Sequence, residues 1–221
     1  MDEAKFEQLL LAYHDAIPQK LATLDRERFE VIPEHLRTGV SALTKDQAVT
    51  LVDWKLSHGT FRPTLRALVN QNLDTTITET TREAFEKLSN TEAPSPPVLK
   101  TALNILMKLR GIGPATASLL LSTYSPDHIP FFSDELFRWC FYEGAADGTG
   151  WDRPIKYTVK QYLDLFEKVQ ELLSTMRSRF QRPLAAVDLE KVAYVLGKRA
   201  RDGLSSDEME NKPLEKSERP N

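Results

Sequence analysis

Residues Leu109–Ala117 read LRGIGPATA, and Phe131–Trp139 a short way downstream read FFSDELFRW. Two glycines flank one isoleucine, and a proline follows at once. Gly111 is suited to close a helix in the left-handed conformation that residues with a β-carbon disfavour. Ile112 is placed to plug between two helices, and Gly113 lets other groups approach the backbone closely. Pro114 fits the first position of a second helix, where a missing N–H costs nothing. The product is a helix N-terminus with bare amides and the positive end of a helix dipole, a setting that suits an anion and a phosphate above all.

The flanking segments have helical patterns. VLKTALNILMKL before the turn places Leu99, Leu103, Leu106 and Met107 on one side, and PATASLLLSTY after it continues as a helix. Phe6, Leu9, Leu10 and Tyr13 recur at helical spacing near the N-terminus. Thr44 and Gln47 in TKDQAVTLVDW have the form of a capping box, opening a helix to about Lys55. HGTFRPTLRALV starts another helix near Arg62–Pro63, and TETTREAFEKL gives one more. SNTEAPSPP (Ser89–Pro97) and EGAADGTGWDRP read as loops. Ser133 caps a helix from Asp134 to about Tyr142. YLDLFEKVQELLSTM is a long amphipathic helix, and AVDLEKVAYVLGK is a last one, capped by Asp188 and stopped near Gly197. Short strands have room only around Trp151–Tyr157. The expected fold is all-α: an N-terminal helical region over 1–97, a helical region over 98–201 that contains the glycine turn and packs on the first as one unit of two lobes, and a disordered acidic tail over 202–221.

Composition bounds the chemistry. The 221 residues are 41% hydrophobic and 28% charged, enough for a core in a water-facing protein, and no apolar run approaches the roughly 20 residues that span a membrane. The acidic start MDEAKFEQLL is unlike a secretory or transit signal. The single cysteine, Cys140, forms no internal disulfide and cannot by itself hold an iron–sulfur cluster or a cysteine-rich zinc site; a reducing, intracellular setting, nuclear or cytoplasmic, is expected. His14, His35, His58 and His128 lack metal-ligand spacing, so neither a metal nor a cofactor is expected. Formal net charge is −3, and the tail from Asp202 accounts for all of it with six acids and three bases. Nucleic-acid binding would therefore come from a local site and not from the bulk field.

LRGIGPATA resembles the helix-hairpin-helix DNA-binding motif, a hydrophobic residue followed by GhG and a small-residue helix start. The layout downstream resembles the helix-hairpin-helix DNA glycosylases (endonuclease III-like), in which a catalytic aspartate opens the helix after the hairpin. Asp134 stands there, nineteen positions after Ala115. The resemblance is tight over about Leu106–Trp139 and architectural elsewhere. It implies that Lys108, Arg110, Gly111, Ile112, Gly113, Pro114, Ala115 and Thr116 grip a backbone phosphate of double-stranded DNA without reading sequence. It implies a nucleotide extruded into a pocket, for which Phe131, Phe132, Trp139 and Trp151 are stacking candidates. Asp134 would then stabilise the oxocarbenium-like sugar as a damaged base leaves, or position the attacking water. Ala115 occupies the position of the Schiff-base lysine of bifunctional members, so the resemblance implies a monofunctional enzyme without lyase activity. The family's usual VDxH reads SDEL, with Leu136 in place of histidine, and Gln71 is the nearest counterpart of a residue that fills the gap in the duplex.

Other readings of the same residues stand beside this one. The turn can be a plain helix connection, and Ser133, Asp134 and Glu135 are ordinary helix-opening residues, where an acid gains about 0.3–1 kcal/mol from the dipole. The chain is then a non-catalytic helical interaction or scaffold module. In DWKLSHGTFRP, Trp54 and Phe61 are expected in the core, with the neighbouring bases as their solvated edge. Cys140 is expected to pack inside. The combination of DWKLxHGxFRP, FFSDELFRW and AVDLEKVAYVLGK also resembles a group of uncharacterised eukaryotic, largely fungal proteins, which implies no activity.

Overall fold

A computed structural model describes residues 1–59, 62–88, 93–143 and 150–203. Among these residues every regular element is a helix. The chain opens with α1 (Glu3–Leu11) and α2 (Tyr13–Ala16). Next come α3 (Ala22–Arg26) and α4 (Ile32–Thr38), joined without a break by a π-helical stretch over Glu27–Val31. Helices α5 (Lys45–His58), α6 (Leu65–Asn70) and α7 (Asp74–Glu86) follow. Then α8 (Pro96–Leu106) leads through the glycine turn into α9 (Pro114–Tyr124). The chain continues with α10 (Asp134–Cys140), α11 (Val159–Phe180) and α12 (Ala186–Arg201).

Local chemistry explains most boundaries. Thr44 Oγ1 accepts from the Gln47 amide at 3.2 Å while Gln47 Oε1 accepts from the Thr44 amide at 3.0 Å, the reciprocal box expected at the start of α5. Pro96 and Pro97 belong to the first turn of α8 and not to the preceding loop, since a helix start has no use for their missing N–H groups. Helix α5 runs on to His58, and α6 begins at Leu65, later than Arg62–Pro63. Helix α10 stops at Cys140. Asp188 caps α12 from inside, its Oδ2 accepting from the Ala185 amide at 2.8 Å. Trp151–Tyr157 holds no strand, only a 3₁₀ turn over Gly150–Asp152. The central part of the glycine-rich loop (144–149) and the tail beyond 203 lie outside the described residues.

Gly197 does not stop α12, which continues to Arg201. A β-carbon at 197 would stand 2.6 Å from Glu135 Cγ and 3.1 Å from the Trp151 ring. The glycine is there so that α10 can lie against α12, and not to end a helix. That approach brings Arg201 within 2.7 Å of Glu135.

Helix α9 is the hub. Every residue from Ala115 to Thr123 is buried. Its small residues let neighbours come close, and the hydroxyls of Ser118, Ser122 and Thr123 each donate back to a carbonyl of the preceding turn at 2.9 Å, so none is left bare. Around it the apolar core is continuous from Phe6 to Leu196, and α1 and α2 close back on α12. The π-helical stretch places Arg28 inside this core. Its guanidinium pairs with Glu190 through two contacts of 2.7 and 2.9 Å and faces the rings of Phe29, Trp54 and Phe131. Burial pushes the Glu190 carboxyl up, and Arg28 opposes that push.

Candidate active site

The glycine turn is pinned from the side. Gly111 has φ +80°, and a β-carbon there would meet Leu68 Cβ at 2.9 Å and the Val69 amide nitrogen at 3.3 Å. Asn72, after α6, laces the turn to that helix. Its Oδ1 accepts from the Arg110 amide at 2.9 Å, and its Nδ2 donates to the carbonyls of Val69 at 2.8 Å and Arg110 at 3.1 Å. Gly113 is the N-cap residue of α9, in extended backbone, with open space where a β-carbon would stand. No side chain caps α9, and the first amides of a helix have no partner within it.

A loop laced on three sides carries the chain from α9 to Asp134. The Phe132 amide donates to Ser118 Oγ at 2.9 Å, the Tyr162 hydroxyl donates to the Pro130 carbonyl at 2.9 Å, and Gln170 Nε2 donates to the His128 carbonyl at 2.7 Å. Ser133 then caps α10, accepting from the Leu136 amide at 3.1 Å. Asp134 follows in the first turn, its side chain 30% exposed. The Tyr157 hydroxyl donates to Asp134 Oδ1 at 2.6 Å, and Arg138 lies 3.7 Å from Oδ2. Tyr157 sits at φ +51°, a left-handed backbone that tyrosine rarely adopts and that costs of order 1 kcal/mol or more. The Lys156 amide donates to Gln161 Oε1 at 2.8 Å, and Gln161 is itself held by the Thr158 cap of α11. The backbone is thus held in a strained form that delivers the phenol to one carboxylate oxygen.

Asp134 and the glycine turn border the same cleft, about 750 Å³ in volume, within the roughly 300–1,000 Å³ common for small-molecule sites. Gly111, Gly113, Pro114, Ala115 and Thr116 form one side. Five cationic residues also reach it, Lys55, Arg62, Arg138, Lys156 and Arg201, against two acids, Asp134 and Glu135. Arg201 pairs with Glu135, and Arg138 stands near Asp134. Lys55, Arg62 and Lys156 have no carboxylate at ion-pair distance among the described residues. Burial and then Arg62 draw the Lys55 ammonium down from its ordinary range, while Asp134 acts in the other direction. His58, sandwiched between the rings of Trp54 at 4.3 Å and Tyr194 at 4.2 Å, is brought down to about 3 by burial, then by Arg28 and Arg201, and is neutral at pH 7. Burial, then the bond to Asp134, raises the Tyr157 phenol.

The residues expected from sequence divide. Asp134, the backbone of the turn, Phe131 and Phe132 meet at the cleft. Phe131 and Phe132 are core residues whose edges reach it, 5% and 1% exposed, so they floor the cleft and do not stand free in it. Trp139, 2% exposed, and Trp151, edge-on to Tyr142, lie away from it. Ile112 is buried between the helices. Lys108 and Arg110 are exposed outside the cleft, Lys108 at 3.8 Å from Glu83 and Arg110 donating to Gln71 Oε1 at 3.4 Å. Trp54 and Cys140 are buried as expected, and burial pushes the Cys140 thiol up to about 12. Arg62 and Arg66 are exposed, as expected of a solvated edge, while Lys55 is half-buried; Lys55 and Arg62 also border the cleft, and Phe61 lies outside the described residues. Lys156, a base beside aromatic residues in GWDRPIKY, borders the cleft, and Tyr157 and Arg201 join it without a local signal in their own sequence.

No family model matches the chain, and neither a curated protein nor a solved structure is significantly similar to it. Among the described residues no group of histidine, cysteine and acidic side chains is arranged to hold a metal ion, and no helix is long and apolar enough to cross a membrane.

Proposed function

We propose that the chain is a DNA-binding protein of the helix-hairpin-helix glycosylase type, which grips duplex DNA with the α8–α9 turn and uses Asp134 to release a base. The observation that supports this most is the shared cleft: the start of α9, which no side chain caps, and an oriented carboxylate border one concave, cationic space. The amides and surrounding cations suit the phosphates of a strand. An extruded nucleoside would place its sugar near Asp134, where positive charge develops as the glycosidic bond breaks and a fixed carboxylate is of most use. Tyr157 keeps that carboxylate aimed by donating to Oδ1. Neutral His58 leaves the aromatic wall uncharged.

The test is base release from duplexes carrying a panel of damaged or mismatched bases. Asp134→Asn is nearly isosteric, keeps an oxygen for the Tyr157 hydroxyl, and gives up only a partly exposed ion pair and the dipole contact, each worth about 0–1 kcal/mol. It is expected to abolish release while leaving the fold and the affinity for a duplex with an abasic analogue intact. If Asp134→Asn releases base at the wild-type rate, the carboxylate has no chemical role. If no duplex binds at low salt, the chain is instead a helical interaction module with a structural turn.

A further inference from the structure

We propose that the Asp134 cleft binds a free nucleoside 5′-monophosphate, with Arg62 and Lys156 on the phosphate and the aromatic floor against the base. The inference concerns the same cleft as the DNA reading above but needs no duplex, so the two can fail separately. The cleft, about 750 Å³, has the size of a small-molecule site.

Tyr157 ties the two cations together. The Arg62 guanidinium lies 5.9 Å from the centre of the Tyr157 ring, within reach of a cation–π contact. Lys156 precedes Tyr157 in the chain, and its amide donates to Gln161 Oε1 at 2.8 Å, which fixes that stretch of backbone. Neither cation has a carboxylate at ion-pair distance among the described residues, unlike Arg66, which Asp53 holds at 2.8 Å. Tyr157 also donates to Asp134 at 2.6 Å. Rings continue from there. Phe132 lies 5.6 Å from Tyr157, and the adjacent Phe131 lies 5.6 Å from Trp54, which stacks on His58 at 4.3 Å. Phe131, Phe132 and His58 border the cleft together with Arg62, Lys156 and Asp134. A cationic patch and an apolar, aromatic surface thus share one cavity, the pair of surfaces that a phosphate and a flat base require.

The distribution of charge favours a small phosphomonoester. Such a group carries about −1.5 to −2 near pH 7, all of it at one point. A strand spreads its charge along a backbone and calls for cations along a path. Outside its acidic tail the chain is formally neutral. The two bases beside the glycine turn have partners within the protein: Lys108 stands 3.8 Å from Glu83, and Arg110 donates to Gln71 at 3.4 Å. The cations without such partners are those of the cleft. A free nucleotide brings its whole charge to them and pays no cost of leaving a stack.

The experiment titrates the full chain calorimetrically at low salt with the four deoxynucleoside 5′-monophosphates, the matching nucleosides and inorganic phosphate. At least one nucleotide is expected to bind about tenfold or more tightly than both its nucleoside and phosphate. Arg62→Gln and Lys156→Gln should each weaken that binding by about tenfold. Arg66→Gln, outside the cleft, should leave it within about twofold. Arg62 and Lys156 are exposed, so their variants should keep the wild-type thermal midpoint, which separates lost binding from unfolding. Equal affinity for nucleotide and nucleoside, or for nucleotide and phosphate, overturns the assignment, as does full affinity in both cleft variants. Binding of a duplex or of a 5′-phosphorylated single strand, with none of the free nucleotides, overturns it and leaves the DNA reading standing. Nucleotide binding with no duplex binding supports it and removes the DNA reading. No binding of any of these removes both.

Discussion

Gly113→Asp should move stability and DNA affinity in opposite directions. Gly113 is the N-cap of α9 at φ −98°, ψ −178°, an extended backbone that any residue adopts, and nothing lies within 4 Å of where its β-carbon would be. Aspartate is among the best N-cap residues and glycine is only a few tenths of a kcal/mol worse. A negative charge at a helix N-terminus adds about 0.3–1 kcal/mol, and removing a glycine from the unfolded chain adds about 0.4–1 kcal/mol. The variant should therefore be more stable by roughly 0.5–2 kcal/mol, a rise of about 1–8 °C for a chain of this size. The same carboxylate occupies the amides proposed to hold a phosphate and repels it. Two unit charges 4 Å apart near a protein surface interact by about 1–4 kcal/mol, so affinity should fall roughly five- to thousand-fold. Guanidinium melts and fluorescence anisotropy with an abasic-analogue duplex at low salt measure the two arms. Undiminished binding would refute the phosphate role of the turn. A loss of stability would refute the open geometry at Gly113.

Two further outcomes follow from the same geometry. Gly111→Ala combines a left-handed backbone, which costs a residue with a β-carbon about 1–2 kcal/mol, with a 2.9 Å approach to Leu68 Cβ and 3.3 Å to the Val69 amide nitrogen, an overpacking of typically 1–3 kcal/mol; a urea midpoint should report a loss of about 2–5 kcal/mol, and a near-neutral result would contradict the packing of the turn on α6. His58 is held at about 3 in the folded chain against about 6.5 unfolded, so the unfolded state takes the proton first. Stability from this group is complete above about 6.5 and is lost as pH falls towards 3, by up to about 1.4 kcal/mol for each pH unit; His58→Phe, which keeps the stacking and cannot titrate, should flatten that part of the pH–stability profile, and an unchanged slope would contradict the burial of the ring.

The parts of the site legible in the sequence are those fixed by local chemistry. GIGP, the Ser133 cap and the Thr44 box each act within four residues, so the bounds of α9 and the position of Asp134 at a helix start are readable from residue type alone. The electropositive lining of the cleft as a whole was not readable, because Lys55, Lys156 and Arg201 come from segments far apart in the chain and meet only when α5, the segment before α11 and α12 come together. Gly197 shows the limit well. Glycine near the end of an apolar pattern reads as a stop, yet here it serves a side-chain contact with Glu135 that no periodicity encodes. Trp139 and Trp151 mislead in the opposite way, since an aromatic ring near a candidate site satisfies a core as readily as a ligand. Asn72 carries no signal of its own; its role exists only because the turn of another helix pair lies beside it.

The distribution of charge bears on how such a site would meet its ligand. Outside its acidic tail the chain is formally neutral, and beyond about 8–10 Å, the screening length near physiological salt, it offers little field to steer a polyanion. The cleft is different. Its cations exceed its acids by three within a concave, partly apolar wall, where the field is focused and less screened. A protein built this way does not gain from coating a duplex. It gains only from the few phosphates that enter the cleft or sit at its rim, which an undistorted helix cannot supply in number. On the proposed reading, discrimination therefore falls on distortion: the exposed start of α9 makes a weak first contact with any backbone, and the larger electrostatic return comes only when a sugar and its flanking phosphates leave the stack and reach Asp134. The energy for selecting damaged from normal sites would then reside in how easily the nucleotide leaves the stack, which is least costly where the base is mismatched, modified or already gone.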